Sequence, residues 1–209
     1  MRTLFIIPLV LMSLVSFPSW GLSMDDLVQR EGIYYKKFTD VPFTGEVDGR
    51  SNGSFKNGKR DGSWEHYFEN GQLWKKGNYK NGKKEGLWVR HFSNGQSKSR
   101  GEFKNGNKEG SWEYYHTNGQ LHYKGDYTNG KANGSFIGYH INGELNFKGQ
   151  YKNGEEDGSW VHYHDNRQLQ SKGEYKNGLA EGYWETYERD GNVRKDLSGI
   201  FKRGRKVSD

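Results

Sequence analysis

The chain contains no cysteine, only three prolines and few hydrophobic residues for its 209-residue length. The absence of cysteine excludes disulfides, thiolate metal ligands and a cysteine nucleophile. Because only 31% of the residues are hydrophobic, we do not expect a thick aliphatic core, and the aromatic residues must supply most of the buried area. Aromatics make up 15% of the chain, whereas disordered chains are poor in them, so the polarity does not predict disorder. The basic excess is small, 32 Lys and Arg against 26 Asp and Glu.

The first residues have the pattern of an export signal. An apolar run at 4–17 follows the positive charge of Arg2 and is shorter than the roughly 20 apolar residues that span a bilayer. Gly21 and Ser23 then give the small-x-small pattern of a cleavage site. We therefore predict that residues 1–23 are a signal peptide, cleaved after Ser23, and that the protein is periplasmic or secreted. A retained membrane anchor is the alternative.

The rest of the chain repeats with a period of 24 residues. A glycine followed two residues later by a large ring recurs six times, and Asn-Gly pairs recur in the same phase. A phosphate-binding glycine loop occurs once per site and opens a helix, so these repeated pairs predict turns instead. Asn-Gly between strand-like runs indicates a hairpin, because a type I′ turn needs positive φ at both central residues. The predicted turn residues include Asn70, Gly71, Asn81, Gly82, Asn94, Gly95, Asn105, Gly106, Asn118 and Gly119.

Two-residue loops at these pairs place Trp64 opposite Gly77 and Glu65 opposite Lys76, so a large ring can lie flat over bare backbone. Side chains alternate between the faces of a strand, which gathers the rings on one face and polar side chains on the other. We predict an all-β fold, an elongated single-layer antiparallel meander of 24-residue hairpin repeats. Its predicted parts are an N-terminal cap at 24–52, six repeats at 53–204 and a basic C-terminal tail at 205–209.

The aromatic face is the candidate partner-binding surface. Its rings are mainly the core of the fold, yet we expect a single layer to leave much of that apolar side uncovered. Exposed apolar surface of that extent usually marks an interaction site. The predicted contact residues are Trp64, Tyr79, Trp88, Phe103, Trp112, Tyr127, Phe136, Tyr151, Trp160, Tyr175 and Trp184.

A basic column recurs with the same period and lies on the polar face: Lys76, Arg100, Lys124, Lys148 and Lys172. It is either a solvated surface or a ladder for anionic headgroups or acidic polymers. His116, His140 and His164 also share a column, but two-strand spacing puts neighbours about 9.6 Å apart, too far to converge on a metal. We therefore predict no metal, no cofactor and no catalytic residues, and we expect no nucleic acid for an exported protein.

The unit GSWEYYHTNGQLHYKGDYTNGK at 110–131 resembles a MORN repeat, and the similarity extends over about 53–204. More narrowly, it is similar to the bacterial MORN variant of YwqK-family antitoxins. The resemblance implies a single-layer sheet of hairpins used for protein contacts, with lipid binding in some relatives, and the antitoxin label implies a toxin partner.

These observations predict a non-enzymatic exported protein that binds another protein, a toxin in the antitoxin-like interpretation. A homodimer through the aromatic face is a further hypothesis. The alternative function is binding to an envelope polysaccharide or to an anionic lipid surface, with exposed rings stacking on sugars and lysines meeting acid groups. Attachment through lysines should weaken steeply with salt, whereas a contact centred on buried rings should not.

Overall fold

The computed structural model describes residues 21–209, so most of the predicted signal peptide lies outside the described residues. A 3₁₀ turn, η1 (Met24–Asp26), precedes the strands. The strands are β1 (Leu27–Arg30), β2 (Ile33–Lys36), β3 (Gly45–Val47), β4 (Ser51–Lys56), β5 (Lys59–Tyr67), β6 (Leu73–Lys80), β7 (Lys83–His91), β8 (Ser97–Lys104), β9 (Asn107–Tyr115), β10 (Leu121–Thr128), β11 (Lys131–Tyr139), β12 (Leu145–Lys152), β13 (Glu155–Glu156), β14 (Gly158–Tyr163), β15 (Leu169–Lys176), β16 (Leu179–Thr186), β17 (Gly199–Lys202) and β18 (Arg205–Ser208).

The strands pair in chain order, as an antiparallel meander requires. β1 and β2 form a separate two-stranded sheet, and β3 to β18 form a 16-stranded sheet in which β13 pairs with β12. The predicted register is confirmed, with Trp64 opposite Gly77 and Glu65 opposite Lys76. The fold class is therefore the predicted all-β single layer of hairpins, with repeats about 24 residues apart.

One class of Asn-Gly turn has the predicted two-residue geometry. In the turn between β6 and β7, Asn81 has φ 51° and Gly82 has φ 80°, and the flanking residues Lys80 and Lys83 pair with each other. The backbone N–H of Asn81 donates to the carboxylate of Asp61 in the preceding repeat, at 3.0 Å. The acidic residue just before Gly62 thus holds the next turn in place, and Glu85 repeats this contact with Asn105 at 2.8 Å.

The second class of turn differs from the prediction. Between β5 and β6 the loop has three residues, because Phe68 N–H donates to the carbonyl of Gln72 and Gly71 N–H donates back to Phe68. Gly71 has φ 80°, and Tyr67 rather than Phe68 lies opposite Leu73. This is the arrangement of a turn closed by a glycine in the left-handed region, which adds a bulge to the hairpin.

The same three-residue loop recurs where two-residue loops were predicted at Asn94-Gly95 and Asn118-Gly119, with Gly95 and Gly119 donating to Phe92 and His116. The asparagine in these loops has a second contact, because its side-chain amide donates to a carbonyl of the next repeat. Asn94 reaches Thr117 in this way at 3.2 Å. These amides therefore link the loops along one side of the sheet.

The N-terminal cap closes the first end of the aromatic face. Tyr34 and Phe43 contact the ring of Phe55 with centroids 4.9 and 5.6 Å apart, and Val47 is buried beside them. Two residues of the predicted signal peptide, Leu22 and Ser23, also take part, since Leu22 accepts a hydrogen bond from Asp48 N–H at 2.9 Å. Ser23 caps η1 through its side chain.

The C-terminal end also differs from the sequence prediction. The residues predicted as a basic tail at 205–209 include β18, which pairs with β17. In the earlier repeats the glycine opposite the tryptophan follows it by 13 residues, as Gly173 follows Trp160. The same spacing would place residue 197 opposite Trp184, but the glycine in that place is Gly199. Lys206 is fixed by an ion pair with Asp209 at 2.6 Å and by a hydrogen bond to the carbonyl of Lys195.

Candidate functional site

The aromatic face carries three parallel rows of side chains. We call the central row the tryptophan row, and its rings are Trp64, Trp88, Trp112, Phe136, Trp160 and Trp184. These rings are buried, with exposed fractions from 0% at Trp64 to 7% at Trp184. The expectation that a single layer leaves them uncovered was wrong for this row.

Glycine explains how one layer buries such large rings. A Cβ added at Gly77 would lie 2.3 Å from Trp88, and the same holds at Gly101 against Trp112, so each ring lies directly on bare backbone. Each indole N–H then donates to a backbone carbonyl, as Trp112 does to Glu102 at 3.0 Å. Burial of the polar edge therefore leaves no hydrogen bond unmade.

A second row supplies the rest of the cover. We call it the tyrosine row, and its members are Tyr79, Phe103, Tyr127, Tyr151 and Tyr175. Tyr79 is buried and the other four are half-buried. These rings meet the tryptophan row edge to face, with centroids 5.0 Å apart for Tyr79 and Trp88 and for Phe103 and Trp112. The chain of contacts continues to Tyr175 and Trp184 at 4.8 Å, so ring packing links neighbouring repeats along the array.

The predicted basic column lies on the opposite face, and its five members are exposed. Some of its charges meet the glutamates that lie across the strand. Arg100 and Lys124 both pair with Glu113, and Lys172 pairs with Glu185 at 2.7 Å. This column is therefore a solvated face with partly compensated charge, where exposed pairs contribute about 0–1 kcal/mol each.

The histidine column makes backbone contacts. His116, His140 and His164 each place Nε2 within 2.8 to 3.0 Å of a carbonyl oxygen in the next repeat. Because a carbonyl only accepts, Nε2 donates in each case. In the described part of the chain, no group of three potential ligands could hold a metal ion. Among residues 21–209 no helix is long and apolar enough to cross a membrane.

A group of cations on the aromatic face was not predicted. We call it the cationic cluster, and its members are Arg60, Lys75, Lys84, Arg90 and Lys108. Three of them follow the tyrosine row, because Lys84 lies opposite Tyr79 and Lys108 lies opposite Phe103 in the sheet. The other two lie in the third row, which contains the residues two positions after each ring of the tryptophan row together with their cross-strand partners. In this row Lys75 and Arg90 pair directly.

Rings hold these cations in place. Arg60 lies over Trp64 and Tyr79, with its guanidinium carbon 4.8 and 5.6 Å from the ring centroids. Lys84 Nζ lies 4.6 Å from the centroid of Trp88, and Lys108 Nζ lies 4.9 Å from that of Trp112. The aliphatic stems thereby help to cover the tryptophan row, while the charged ends form cation–π contacts.

No carboxylate balances the cluster. Within the described residues, none of its five side chains forms an ion pair, and Arg60 Nε is buried without a hydrogen-bond partner. Burial, together with the charges of Lys84, Arg90 and Arg60, lowers the pKa of Lys75 to about 8. Burial and nearby cations also lower the pKa of Lys84 and of Lys108. Like charges directly opposite each other destabilise a sheet, so this arrangement costs folding free energy.

His66 lies beside the cluster and remains neutral at physiological pH. Burial, and then the charges of Lys75, Arg60 and Lys84, lowers its pKa to about 4. Its Nδ1 forms a hydrogen bond with Ser51 Oγ at 2.8 Å, and its ring stacks on Trp64. The buried imidazole therefore places a neutral polar ring beneath a strongly positive surface.

The later repeats carry rings, alanines and one glutamate at the equivalent positions. Where earlier repeats have Arg60, Lys84 and Lys108, the next ones have Ala132, Glu156 and Ala180. In the third row Tyr114 and Tyr123 stack with centroids 4.3 Å apart, and Phe147 lies against Gly138. We call Tyr114, Tyr123, Phe147 and His162 the aromatic half. The aromatic face is thus cationic at one end and aromatic at the other.

Sequence reasoning missed the cluster because its members belong to three different repeat columns. Arg60, Lys84 and Lys108 recur with the period but stop at Ala132, whereas Lys75 and Arg90 have no basic equivalents in the next repeat. The alternation of side chains along a strand could have identified three members of the cluster. Arg60, Lys84 and Lys108 each lie four residues before a tryptophan, and an even separation places them on the same face of the strand as that ring.

Comparisons with known proteins identify the repeats. Four segments, 60–81, 84–105, 108–129 and 156–177, match the sequence model described as a MORN repeat variant. The segments between and after them depart from the pattern, with Phe136 in place of tryptophan and Leu197 in place of glycine. No curated protein matches the chain. Among solved structures, 28 chains match.

One of these solved structures is the crystal structure of the GtfA/B complex bound to UDP and GlcNAc. It is 12% identical over 56% of this chain, with a TM-score of 0.23. The match spans 22% of that chain's length, and so low a similarity carries no argument about fold or function.

Proposed function

This chain is a MORN-repeat protein, and from that premise we propose that it is an exported, non-enzymatic module that binds another protein through its aromatic face. MORN repeats generally act as protein-binding or membrane-binding modules, and the repeat itself is non-catalytic. The proposal concerns which of these two kinds of partner the protein binds and which face it uses.

The main support for this proposal is that the aromatic face has cationic side chains at one end and aromatic side chains at the other. The fold needs the glycines, the turns and the tryptophan row, and these recur throughout. Arg60, Lys84 and Lys108 recur only as far as Lys108, and Lys75 and Arg90 do not recur, although the same backbone supports Ala132 and Tyr123 at equivalent places. A cluster of cations that costs stability and that the repeat does not require is expected to serve binding.

The sequence predicts that the tryptophan row is mainly the core of the fold and also a contact surface, and its burial favours the first role. Because these rings are buried, we place the contact surface on the tyrosine row, which is half-buried except at Tyr79, on the cationic cluster and on the aromatic half. Tyrosine and arginine are typical of interface hot spots, and tyrosine presents a large rigid surface with a polar tip. A surface with separate charged and aromatic ends suits a protein partner with an acidic and an apolar part better than it suits a uniform anionic membrane.

Affinity capture from the envelope fraction tests this function. We expect Arg90→Glu/Tyr123→Ser on the aromatic face to lose the protein that the wild type retains, at least tenfold as measured by quantitative mass spectrometry. The matched control is Lys148→Glu/Tyr163→Ser on the opposite face, which should retain it. Melting temperatures establish that both variants are folded. Equal retention by both variants, or loss by the control alone, contradicts the proposal.

The export part of the proposal depends on the predicted signal peptide. Removal of residues 1–23 would leave Met24 as the first residue of the mature chain. The contacts of Leu22 and Ser23 with the cap would then be lost, namely the 2.9 Å bond to Asp48 and the cap on η1. Intact mass measurement of the protein from the native host decides the point. A mature mass that begins at Met24 supports cleavage after Ser23, and an unprocessed mass contradicts it.

A further inference from the structure

We propose that the cationic cluster binds an acidic, extended segment of the partner protein that lies across the strands in a polyproline II conformation, with a carboxylate at every third residue. This inference rests on the proposed function and specifies the chemistry of the partner. The inference is based on a line of three cations, Arg60, Lys84 and Lys108, each of which lies over a ring of the tyrosine row. Lys75 and Arg90 lie beside this line.

The line consists of three equivalent units. Arg60 lies over Tyr79 at 5.6 Å, Lys84 over Phe103 at 4.7 Å and Lys108 over Tyr127 at 4.5 Å. The three cations belong to β5, β7 and β9, and every second strand of a sheet is about 9.6 Å further along. The surface therefore repeats a cation and a ring with a spacing of about 9.6 Å across the strands.

Polyproline II has the matching repeat. It has three residues per turn and rises about 3.1 Å per residue, so every third side chain points the same way at intervals of about 9.3 Å. Three acidic residues at such positions would each face one cation. The residues between them, proline above all, would pack on the rings, as they do in the aromatic grooves that recognise this conformation.

The sheet itself excludes the alternative of an added strand. β5 to β10 are internal strands with a neighbour on each side, so their backbone groups are already paired in the ladders. The backbone of a peptide bound on this face therefore cannot form β-sheet hydrogen bonds with these strands. Polyproline II meets this condition, since it has no internal hydrogen bonds and its backbone remains solvated.

The charge of the surface favours an anion at these positions. The cluster has no carboxylate partner in residues 21–209, and Lys75 and Arg90 lie directly opposite each other beside the line. Burial, and then the charges of Lys84, Arg90 and Arg60, lowers the pKa of Lys75. Carboxylates between these side chains would form charge-assisted hydrogen bonds with groups that the fold leaves without an acidic partner.

A pair of synthetic peptides tests the spacing. The first contains four Glu-Pro-Pro units, and the second has the same composition with its four glutamates in one block. We expect the purified wild-type chain to bind the first peptide at least about tenfold more tightly in fluorescence titrations at physiological salt, because only this peptide can face all three cations. Equal affinity for the two peptides overturns the proposed spacing.

Two matched variants test the location. Lys75→Gln/Lys84→Gln/Arg90→Gln removes three charges from the cluster, and Lys76→Gln/Lys148→Gln/Lys152→Gln removes three from elsewhere on the sheet. We expect the first variant to weaken binding of the spaced peptide by about tenfold or more and the second to change it less than about threefold. Arg90→Gln alone, at an exposed position, replaces the first variant if the triple change prevents folding. Equal losses in both variants overturn the proposal.

Vesicles containing phosphatidylserine distinguish the other source of anions. Cluster-dependent binding of the vesicles without binding of the spaced peptide overturns the acidic-segment proposal in favour of a lipid surface. If neither peptide binds but Arg90→Glu/Tyr123→Ser still loses the captured protein, this inference fails and the proposed function stands. If the spaced peptide binds as expected while capture is unaffected, the proposed function fails instead.

Discussion

Replacing Gly101 by alanine is expected to lower the free energy of unfolding by about 3 kcal/mol, the upper end of the usual cost of overpacking. A Cβ at this position would lie 2.3 Å from Cδ2 and 2.5 Å from Cγ of Trp112. The ring cannot move away easily, because its N–H is bonded to Glu102 at 3.0 Å and Phe103 packs against it at 5.0 Å. Urea denaturation of the two proteins measures the loss.

The same substitution should have the opposite sign when the ring is absent. Trp112→Ala alone is expected to cost about 3–5 kcal/mol. In that background the Cβ at position 101 has room, and alanine should stabilise the strand by roughly 0.5–1 kcal/mol relative to glycine. Gly110→Ala is the control for backbone strain, because Gly110 has φ 65° and a Cβ there would meet no atom within 4 Å. An equal cost of Gly101→Ala in both backgrounds would show that the ring does not lie on the glycine.

The register and the tryptophan row could be predicted because each depends on counting residues. The period fixes the spacing of the turns, and strand alternation then places Trp64 opposite Gly77. The loop at Asn70-Gly71 could not be settled in the same way. Asn-Gly suits a two-residue turn with two positive φ values and also a three-residue loop in which only the glycine is left-handed. The structure has the second form there, and the first at Asn81-Gly82.

Burial and the cationic cluster could not be predicted from residue patterns alone. Burial of Trp112 depends on Lys108, four residues earlier in the same strand, and on Phe103 of the neighbouring strand, which covers the ring only once the sheet has formed. The cluster depends on the pairing of Lys75 with Arg90, two residues that lie in different columns and have no basic equivalents in the next repeat. A search for columns of one residue type finds the lysines of the opposite face first, although these are more exposed and some are compensated.

Removing one complete repeat should leave a folded protein. Deletion of 132–155 joins Lys131 to Glu156 and lets Gly125 meet Trp160, as Gly149 does in the wild type. Repeat arrays are stabilised by each unit and its neighbours, so the loss should be that of one unit. At about 0.05–0.15 kcal/mol per residue, it amounts to roughly 1–4 kcal/mol. A single cooperative denaturation transition with a lower midpoint is the expected result.

Extending the deletion by one residue, to 132–156, provides the matched control. A shift of one position moves every later side chain to the other face of its strand. Trp160 and Trp184 would then point away from the rings of the earlier repeats, and Val161 and Glu185 would take their places. We expect the aromatic face to be interrupted at this point. The two parts should then unfold separately, or the C-terminal part should not fold. In denaturation followed by tryptophan fluorescence, either outcome would replace the single cooperative transition of the wild type. Cooperative unfolding of both deletions with similar midpoints would contradict the view that ring packing in a constant phase holds the array together.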